Sequence, residues 1–294
     1  MRRALALLAM CATAMAFAAG CSRPEGAKTA SEGVSGSIQI KGSDTMVNLT
    51  QALAEKYMAA NPGASVAVTG GGSGTGIAAM INGTTDIAES SRAIKEKELE
   101  AATANGISPK EFLVGYDGLA VVVHPDNPVS ELTLSQLKAI FTGASSNWKE
   151  FGGPDAGIVI LSREVNSGTH VYFKEHVLND GDSKGTEEFA RSALLMPSSQ
   201  AIADETAKNK NAIGYYGMAY ISDKQKAVKI MNENGEAVEP TLENVVAKKY
   251  PVSRPLFMYT RSEPAGVAKS FMDFVFSAEG QNVVKELGFV PVNM

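Results

Sequence analysis

Apolar and polar positions along the chain follow two alternating periods from Ser37 onward, with short β-rich runs followed by stretches of helical periodicity. In the first third, the pattern predicts strands over 38–41, 65–69 and 86–89 and helices over 47–60, 74–82 and 95–105. Strands and helices that alternate in this way are typical of a mainly parallel sheet covered on both faces. We therefore predict an α/β fold.

The rest of the chain continues this alternation. The pattern predicts strands over 119–124, 158–163 and 254–259, and helices over 134–141, 168–178, 187–195, 199–209 and twice between 264 and 287. The sequence shows no repeat at a fixed period and no Pro/Gly linker between two halves. Because 294 residues exceed one average domain, we expect two domains that share chain crossings near 116–119 and 252–256.

The N-terminus has a different pattern. Two arginines follow Met1, and an apolar run over 4–19 leads to the small residues before Cys21. This arrangement is typical of a secretory signal peptide, which we assign to residues 1–20. The apolar run is too short to span a bilayer comfortably.

The sequence Ala18-Ala19-Gly20-Cys21 resembles a bacterial lipobox, although the lipobox prefers Leu where Ala18 stands. We expect Cys21 to be the lipidated first residue of a membrane-anchored lipoprotein carrying fatty acyl chains such as palmitate. The alternative is ordinary cleavage that leaves a free thiol. Residues 21–36 are mostly small or polar and are predicted to form a flexible tether.

Composition and charge restrict the function classes. Apolar residues make up 44% of the chain and charged residues 20%, which are ordinary values for a globular protein. The two cysteines are Cys11 and Cys21, so the mature fold has no intramolecular disulfide. Removal of residues 1–20 takes away two arginines and no acidic residue, which changes the formal net charge from −5 to −7. A net acidic surface argues against a nucleic-acid partner.

Candidate chemistry lies at three turns where a predicted strand ends, Gly, Ser and Thr cluster, and a helix begins. These turns are 41–46, 70–76 and 166–169. Hydroxyls and free backbone N–H groups at a helix start favour negative charge, so the three turns together suggest an anion site. Each turn by itself also fits ordinary helix capping. Arg163 ends a strand four residues before Ser167 and would add a guanidinium fork suited to a tetrahedral oxyanion.

Other motifs give weaker support to enzymatic functions. The Gly-rich run lacks the lysine of a Walker A loop, but residues 74–79 fit the looser G-x-G-x-x-A dinucleotide fingerprint, with Glu96 and Glu98 about twenty residues on. Export argues against a nicotinamide cofactor. Ser73 lacks the last glycine of a G-x-S-x-G motif, and the spacing of His170 and His176 does not suit zinc. We expect no catalytic residue, no metal and no cofactor.

Several short motifs, in this order and spacing, resemble the substrate-binding proteins of bacterial ABC-type phosphate transporters. The resemblance runs from about Ser37 to the C-terminus and is carried by Gly42-Ser43-Asp44-Thr45, Gly72-Ser73-Gly74-Thr75-Gly76, Asp86-Ile87-Ala88-Glu89-Ser90-Ser91, Arg163 with Ser167-Gly168-Thr169, and Ile213-Gly214-Tyr215. It implies a type II periplasmic binding-protein fold with two interleaved lobes and a ligand cleft between them. By this resemblance, residues 37–117 with 255–294 form lobe I, and residues 118–254 form lobe II.

The resemblance also implies a set of phosphate ligands. Carried over by position, these are Thr45, the backbone N–H of Met46, Ser73, Ser91, Arg163, Ser167, the backbone N–H of Gly168, and Thr169.

Two departures concern selectivity. Ser91 stands where the best-known members have an Asp that accepts the proton of hydrogen phosphate, so Asp44 or Glu89 would have to take over that role. The family also places an acid near the arginine, whereas this chain has Val165 there, with Glu164 as the adjacent substitute.

The sequence therefore predicts a monomeric, lipid-anchored receptor outside the cytoplasm that binds inorganic phosphate with high affinity and presents it to the permease subunits of an ABC transporter. Two alternatives remain open at this point. One is a receptor for another oxyanion, such as sulfate or molybdate. The other is an exported α/β enzyme that acts on a phosphorylated substrate.

Overall fold

The computed structural model describes residues 34–292, so the predicted signal peptide, Cys21 and most of the predicted tether lie outside the described residues. Eleven strands are described in this range: β1 Gly36–Gly42, β2 Ala64–Thr69, β3 Ile87–Ser90, β4 Lys110–Val123, β5 Glu131–Leu132, β6 Val159–Arg163, β7 Leu194–Met196, β8 Ala212–Gly217, β9 Lys226–Met231, β10 Ala237–Val238 and β11 Ser253–Thr260. Nine α-helices accompany them: α1 Val47–Ala60, α2 Ser73–Ile81, α3 Glu96–Ala104, α4 Leu134–Thr142, α5 Gly168–Phe173, α6 Ser199–Thr206, α7 Leu242–Val246, α8 Gly266–Val275 and α9 Ala278–Glu286. Within residues 34–292, no helix is both long and apolar enough to cross a membrane.

Local sequence explains many of these boundaries. Helix α4 begins with a capping box in which Thr133 and Gln136 bond reciprocally to each other's backbone, and it ends at Gly143 with φ 81°. Strand β1 alternates exposed and buried positions, as expected where one face covers a core. Strand β4 is buried at every position from Asp117 to Val123, as expected of a central strand.

The strands follow the order β2-β1-β3-β11-β4-β8-β6-β7, and β9 pairs with β4, β5 and β10. Parallel pairs join β1 to β2 and β3, and also β6 to β7 and β8. Antiparallel pairs join β11 to β3 and β4, and also β4 to β8 and β9. The sheet is therefore mixed and not mainly parallel, because β4 and β11 run antiparallel to their neighbours through its centre.

One predicted helix is wrong and another changes its helix type partway along. Residues 187–195 form no helix; the segment is irregular and ends in β7. Phe189 in this segment packs against Phe141 and Tyr215, so side-chain packing overrides its helical periodicity. The predicted helix over 168–178 divides into α5 and a π-helical turn over Lys174–Leu178.

Buried apolar side chains form three clusters. The largest takes its members from residues 119–252 together with Val290. A second combines residues 38–114 with residues 256–289, and a third combines residues 77–107 with Phe257 and Tyr259. Val34, within the predicted tether, packs against the second cluster. The boundaries of the clusters lie close to the lobe boundaries expected from the sequence, and the division into lobes remains a prediction.

Candidate functional site

The turn after β1 approaches β3 so closely that it requires a glycine. Gly42 has φ 150°, and a Cβ atom there would lie 2.0 Å from the carbonyl oxygen of Glu89. A single 3₁₀ turn over Asp44–Met46 follows and leads into α1. Both Thr45 and Met46 in this turn are buried, and the Met46 N–H donates to the Ser43 carbonyl oxygen at 3.0 Å.

The glycines after β2 contact backbone from other parts of the chain. Gly72 has φ 94°, and a Cβ there would lie 2.7 Å from the carbonyl oxygen of Asn166. The Gly74 N–H donates to that same oxygen at 3.0 Å. A Cβ on Gly76 would lie 2.3 Å from the Lys41 carbonyl oxygen. Packing within this chain therefore accounts for these three glycines.

The dinucleotide alternative also requires a carboxylate that can receive a ribose. The Glu98 carboxylate is held by Arg92, with contacts of 2.7 and 2.8 Å. This bidentate pair occupies one of the two side chains on which that alternative depends.

Three buried serines meet beside the Gly-rich run. Ser43 Oγ donates to Ser91 Oγ at 2.9 Å, and Ser73 Oγ lies 3.4 Å from Ser91 Oγ. The Ser91 N–H donates to Ser73 Oγ at 3.1 Å. A Cβ on Gly168 would lie 2.2 Å from Ser73 Oγ and 2.6 Å from Ser91 Oγ. The structure thus places Ser73, Ser91 and Gly168 in one polar cluster.

The turn before α5 approaches this cluster through Gly168, and it also brings Thr169 next to Thr45. Thr45 Oγ1 and Thr169 Oγ1 are 2.9 Å apart, and both residues are buried. Ser167 Oγ caps α5 by accepting hydrogen bonds from the backbone N–H groups of Thr169 and His170. Ser167 is therefore the N-cap residue of α5.

Arg163 is buried at the end of β6, with 2% of its surface exposed. Its Nη1 donates to Ser199 Oγ at 3.0 Å and lies 3.1 Å from the Asp44 carboxylate. Its Nη2 donates to the Pro197 carbonyl oxygen at 3.2 Å. Its Nε is buried and has no hydrogen-bond partner among residues 34–292.

The acid that faces Arg163 comes from a distant part of the sequence. Asp44 accepts a 2.8 Å hydrogen bond from the Ser199 N–H in addition to its contact with Arg163. The expectation that Glu164 pairs with Arg163 is wrong, because Glu164 is exposed and Asp44 holds that position. Val165, two residues after Arg163, is 70% exposed.

A second buried ion pair lies beside Thr45. Arg254 donates from Nε and Nη2 to Asp117 Oδ2, at 3.2 and 2.9 Å, and from Nη2 to Thr45 Oγ1 at 3.2 Å. Burial raises the pKa of Asp117, and the charge and hydrogen bonds of Arg254 act against that shift. Our sequence reasoning did not assign these two residues to the site. The signal was present, since each is a charged residue close to the apolar run of its strand.

Glu89 is a buried acid on β3, and Thr50 donates a hydrogen bond of 2.5 Å to its Oε2. Its Oε1 has no partner within the described part of the chain. Burial raises the pKa of Glu89 to about 8, an effect that the Thr50 hydrogen bond opposes and the nearby Asp44 charge adds to. Glu89 is therefore largely protonated at neutral pH.

The contacts of His170 indicate a structural role. Its Nδ1 lies 2.8 Å from the Arg163 carbonyl oxygen and 3.2 Å from Ser162 Oγ. Burial lowers its pKa to about 4, so the ring is neutral near pH 7. Residues 34–292 contain no group of three or more His, Cys, Asp or Glu side chains arranged to hold a metal.

Comparisons with known proteins agree with one another. Residues 27–279 match the family model described as a PBP superfamily domain. The phosphate-binding protein PstS of Bacillus subtilis is 34% identical over an alignment that covers 98% of this chain and 94% of that protein. Its counterpart of the same name in Staphylococcus epidermidis is 33% identical, with coverages of 92% and 83%.

Solved structures give the same picture. A phosphate ABC transporter substrate-binding protein from Clostridium perfringens, crystallised with bound phosphate, is 38% identical with a TM-score of 0.79. The alignment covers 88% of this chain and 100% of that one. An ABC-type phosphate transport receptor from Vibrio cholerae is 31% identical with a TM-score of 0.69, covering 87% of this chain and 100% of the other.

Proposed function

The chain belongs to the bacterial phosphate-binding proteins of the PBP superfamily, and we propose that it binds inorganic phosphate outside the cytoplasm and delivers it to the permease of an ABC transporter. Relatives that span nearly the whole chain carry names for phosphate binding or phosphate transport. A likeness over this length includes the parts of the chain that carry the three turns. These relatives are binding proteins, and we propose no catalytic role for this chain.

The observation that carries the proposal is the meeting of separate turns in a buried polar region, where Asp44 of the first turn contacts the buried guanidinium of Arg163. Hydroxyls from four parts of the sequence form two buried pairs, Thr45 with Thr169 and Ser73 with Ser91. Arg163 ends β6, five residues before α5. Hydroxyls can donate to an anion, and a guanidinium adds full positive charge.

In this mechanism, Arg163 is held from one side and binds phosphate from the other. Asp44, Ser199 and the Pro197 carbonyl group engage the two terminal nitrogens and fix the plane of the guanidinium. The unpartnered Nε provides a donor for the anion. Because these groups are ordered before binding, little side-chain entropy is lost when the anion arrives.

The remaining proposed ligands are Thr45, Ser73, Ser91, Ser167 and Thr169 through their side chains, and Met46 and Gly168 through their backbone N–H groups. To reach the anion, the Met46 N–H must leave the Ser43 carbonyl oxygen to which it donates. A hydrogen bond to a charged group contributes about 1.5–3 kcal/mol net. Several such bonds are together large enough to supply the roughly 8 kcal/mol that micromolar binding requires and to offset part of the entropy of association. No metal is needed for tight binding.

We also propose that residues 37–117 with 255–294 and residues 118–254 form two lobes that close on the anion. The three buried clusters support this division, since the chain passes between the two larger ones near Asp117 and Arg254. A ligand that contacts both lobes would favour the closed population.

Membrane attachment belongs to the same proposal. We propose that residues 1–20 are a signal peptide, that Cys21 carries the lipid anchor, and that residues 21–36 tether a monomeric receptor close to the permease. The residue pattern of the N-terminus supports this assignment.

Isothermal titration calorimetry of the mature protein with phosphate, sulfate and molybdate between pH 5 and 8 tests the proposed function. The protein is first refolded from denaturant and dialysed to remove endogenous phosphate. We expect phosphate to bind with a Kd well below about 100 μM and more tightly than the other two anions. Failure to bind phosphate at that level contradicts the proposal, and tighter binding of sulfate or molybdate favours the alternative receptor.

A further inference from the structure

The Arg254–Asp117 pair joins the two central antiparallel strands at a position next to the proposed site. Arg254 on β11 is in register with Asp117 on β4. Side chains of both residues are completely buried. Arg254 places its Cζ 5.8 Å from the ring centroid of Tyr172, so an aromatic face covers part of the guanidinium.

Strand pairing alone does not explain this ion pair. Buried ion pairs usually contribute no more stability than well-packed apolar residues of the same volume. This pair is also incompletely satisfied, because Arg254 Nη1 and Asp117 Oδ1 are buried without a hydrogen-bond partner among residues 34–292. A buried guanidinium with a free donor indicates a role beyond holding two strands together.

The third contact of Arg254 indicates what that role is. Arg254 Nη2 donates to Thr45 Oγ1 at 3.2 Å. A guanidinium has no acceptor, so the Thr45 oxygen must be the acceptor in this bond and its own proton must point elsewhere. In this structure the other neighbour of Thr45 Oγ1 is Thr169 Oγ1, at 2.9 Å. Arg254 therefore leaves the Thr45 hydroxyl free to donate in the direction of Thr169.

We propose that Arg254 is a positioning residue of the anion site, which fixes the Thr45 hydroxyl as a donor. This inference rests on the proposed function, in which Thr45 and Thr169 are ligands of phosphate. Asp117 holds the guanidinium in the plane that reaches Thr45 and balances its charge when no anion is bound.

The test removes both charges together, so that no unpaired Asp117 remains buried. Phosphate titrations are made on the wild type, on the double variant Arg254→Met with Asp117→Leu, and on each of these with Thr45→Val. The same double substitution at the exposed pair formed by Lys210 and Asp126 controls for the loss of one charge of each sign.

We expect the Arg254/Asp117 variant to fold and to bind phosphate at least tenfold more weakly than the wild type, while the Lys210/Asp126 variant binds normally. With Thr45→Val already present, removal of the Arg254 pair should weaken binding less than threefold further, because the hydroxyl that Arg254 orients is absent. Equal weakening in both backgrounds, or wild-type affinity in the pair variant, overturns the inference but not the proposed function. A wild-type protein that fails to bind phosphate overturns both.

If the pair variant does not fold, Arg254→Lys provides the test. Lysine keeps the charge beside Asp117 but lacks the planar fork that reaches Asp117 and Thr45 at once. We expect this variant to keep its thermal stability better than its affinity, with phosphate binding at least fivefold weaker. Full affinity in Arg254→Lys overturns the orienting role.

Discussion

Asn166 is bonded to the Gly-rich run through both its backbone and its side chain. Its carbonyl oxygen accepts from the Gly74 N–H at 3.0 Å. Its side-chain amide donates to the Gly71 carbonyl oxygen at 2.8 Å and to Thr75 Oγ1 at 3.1 Å. These bonds connect segments that we assign to different lobes, so in that scheme they form only when the lobes are closed.

Removal of the Asn166 side chain should therefore speed the release of phosphate. Asn166→Ala keeps the backbone bond and loses two hydrogen bonds, each contributing about 1 kcal/mol, so we expect affinity to fall about thirtyfold, mainly through the dissociation rate. Stopped-flow release of phosphate to a scavenger measures that rate. Asn282→Ala, on the exposed face of α9, is the control. Equal dissociation rates in the two variants would argue against a closing role for Asn166.

Arg163 should be the most sensitive proposed ligand. Loss of a charged donor removes at least about 1.5 kcal/mol, so Arg163→Ala should weaken phosphate binding more than tenfold, and Thr169→Val should weaken it by a smaller factor. Calorimetric titration gives both values. Arg191→Ala removes an exposed arginine from the same part of the chain and should have no effect. Normal affinity in both test variants would mean that the anion binds elsewhere.

Replacing Ser91 with the Asp that the family resemblance implies at this position should change the selectivity between phosphate and sulfate. In Ser91→Asp, the new carboxylate can accept the proton of hydrogen phosphate, whereas fully ionised sulfate has no proton to donate and is repelled. We expect the ratio of sulfate Kd to phosphate Kd at pH 7 to rise at least tenfold. Ser91→Asn has a similar size without the charge and should leave that ratio nearly unchanged. A similar ratio in both variants would exclude the carboxylate as the cause.

Glu89 should make the stability of the fold depend on pH. Its pKa is about 8 in the folded chain and near the ordinary 4.5 when unfolded. Between these values the folded state binds more protons than the unfolded state, so this contribution to stability is fully present below about pH 4.5 and is lost as pH rises toward 8. The slope is about 1.4 kcal/mol per pH unit.

Urea unfolding of the wild type and Glu89→Gln from pH 5 to 9 measures this effect. The variant lacks the titrating group, so its free energy of unfolding should fall less than that of the wild type as pH rises. Glu96→Gln alters an exposed residue and should follow the wild-type curve. Parallel curves for Glu89→Gln and the wild type would show that the acid does not titrate in this range.

Periodicity predicted most elements of this fold because their boundaries are set locally. Helix α1 has the predicted bounds, and α4 ends at Thr142, one residue later than predicted and directly before Gly143. The segment over 187–195 was predicted wrongly because Phe189 is held by aromatic side chains from distant elements. The antiparallel course of β4 and β11 was missed because strand direction depends on pairing across the whole chain.

The three turns of the candidate site were visible as motifs, but the partners of its arginines were not. Asp44 reaches Arg163 only because the turn after β1 faces the end of β6 in the folded chain. Asp117 and Arg254 likewise meet through strand register and not through any local pattern. Contacts of this kind depend on tertiary geometry, and a single sequence does not specify them.

The second buried cluster unites the beginning and the end of the chain, since Tyr57 in α1 packs against Phe271 in α8 with ring centroids 5.4 Å apart. The largest cluster draws almost entirely on the continuous stretch 119–252. A chain emerging from the ribosome or from a membrane channel can therefore form most of the largest cluster before it can complete the second cluster. The core that holds the N-terminal strand stays open until the last helices arrive, so loss of the C-terminal forty residues should unfold the start of the protein as well.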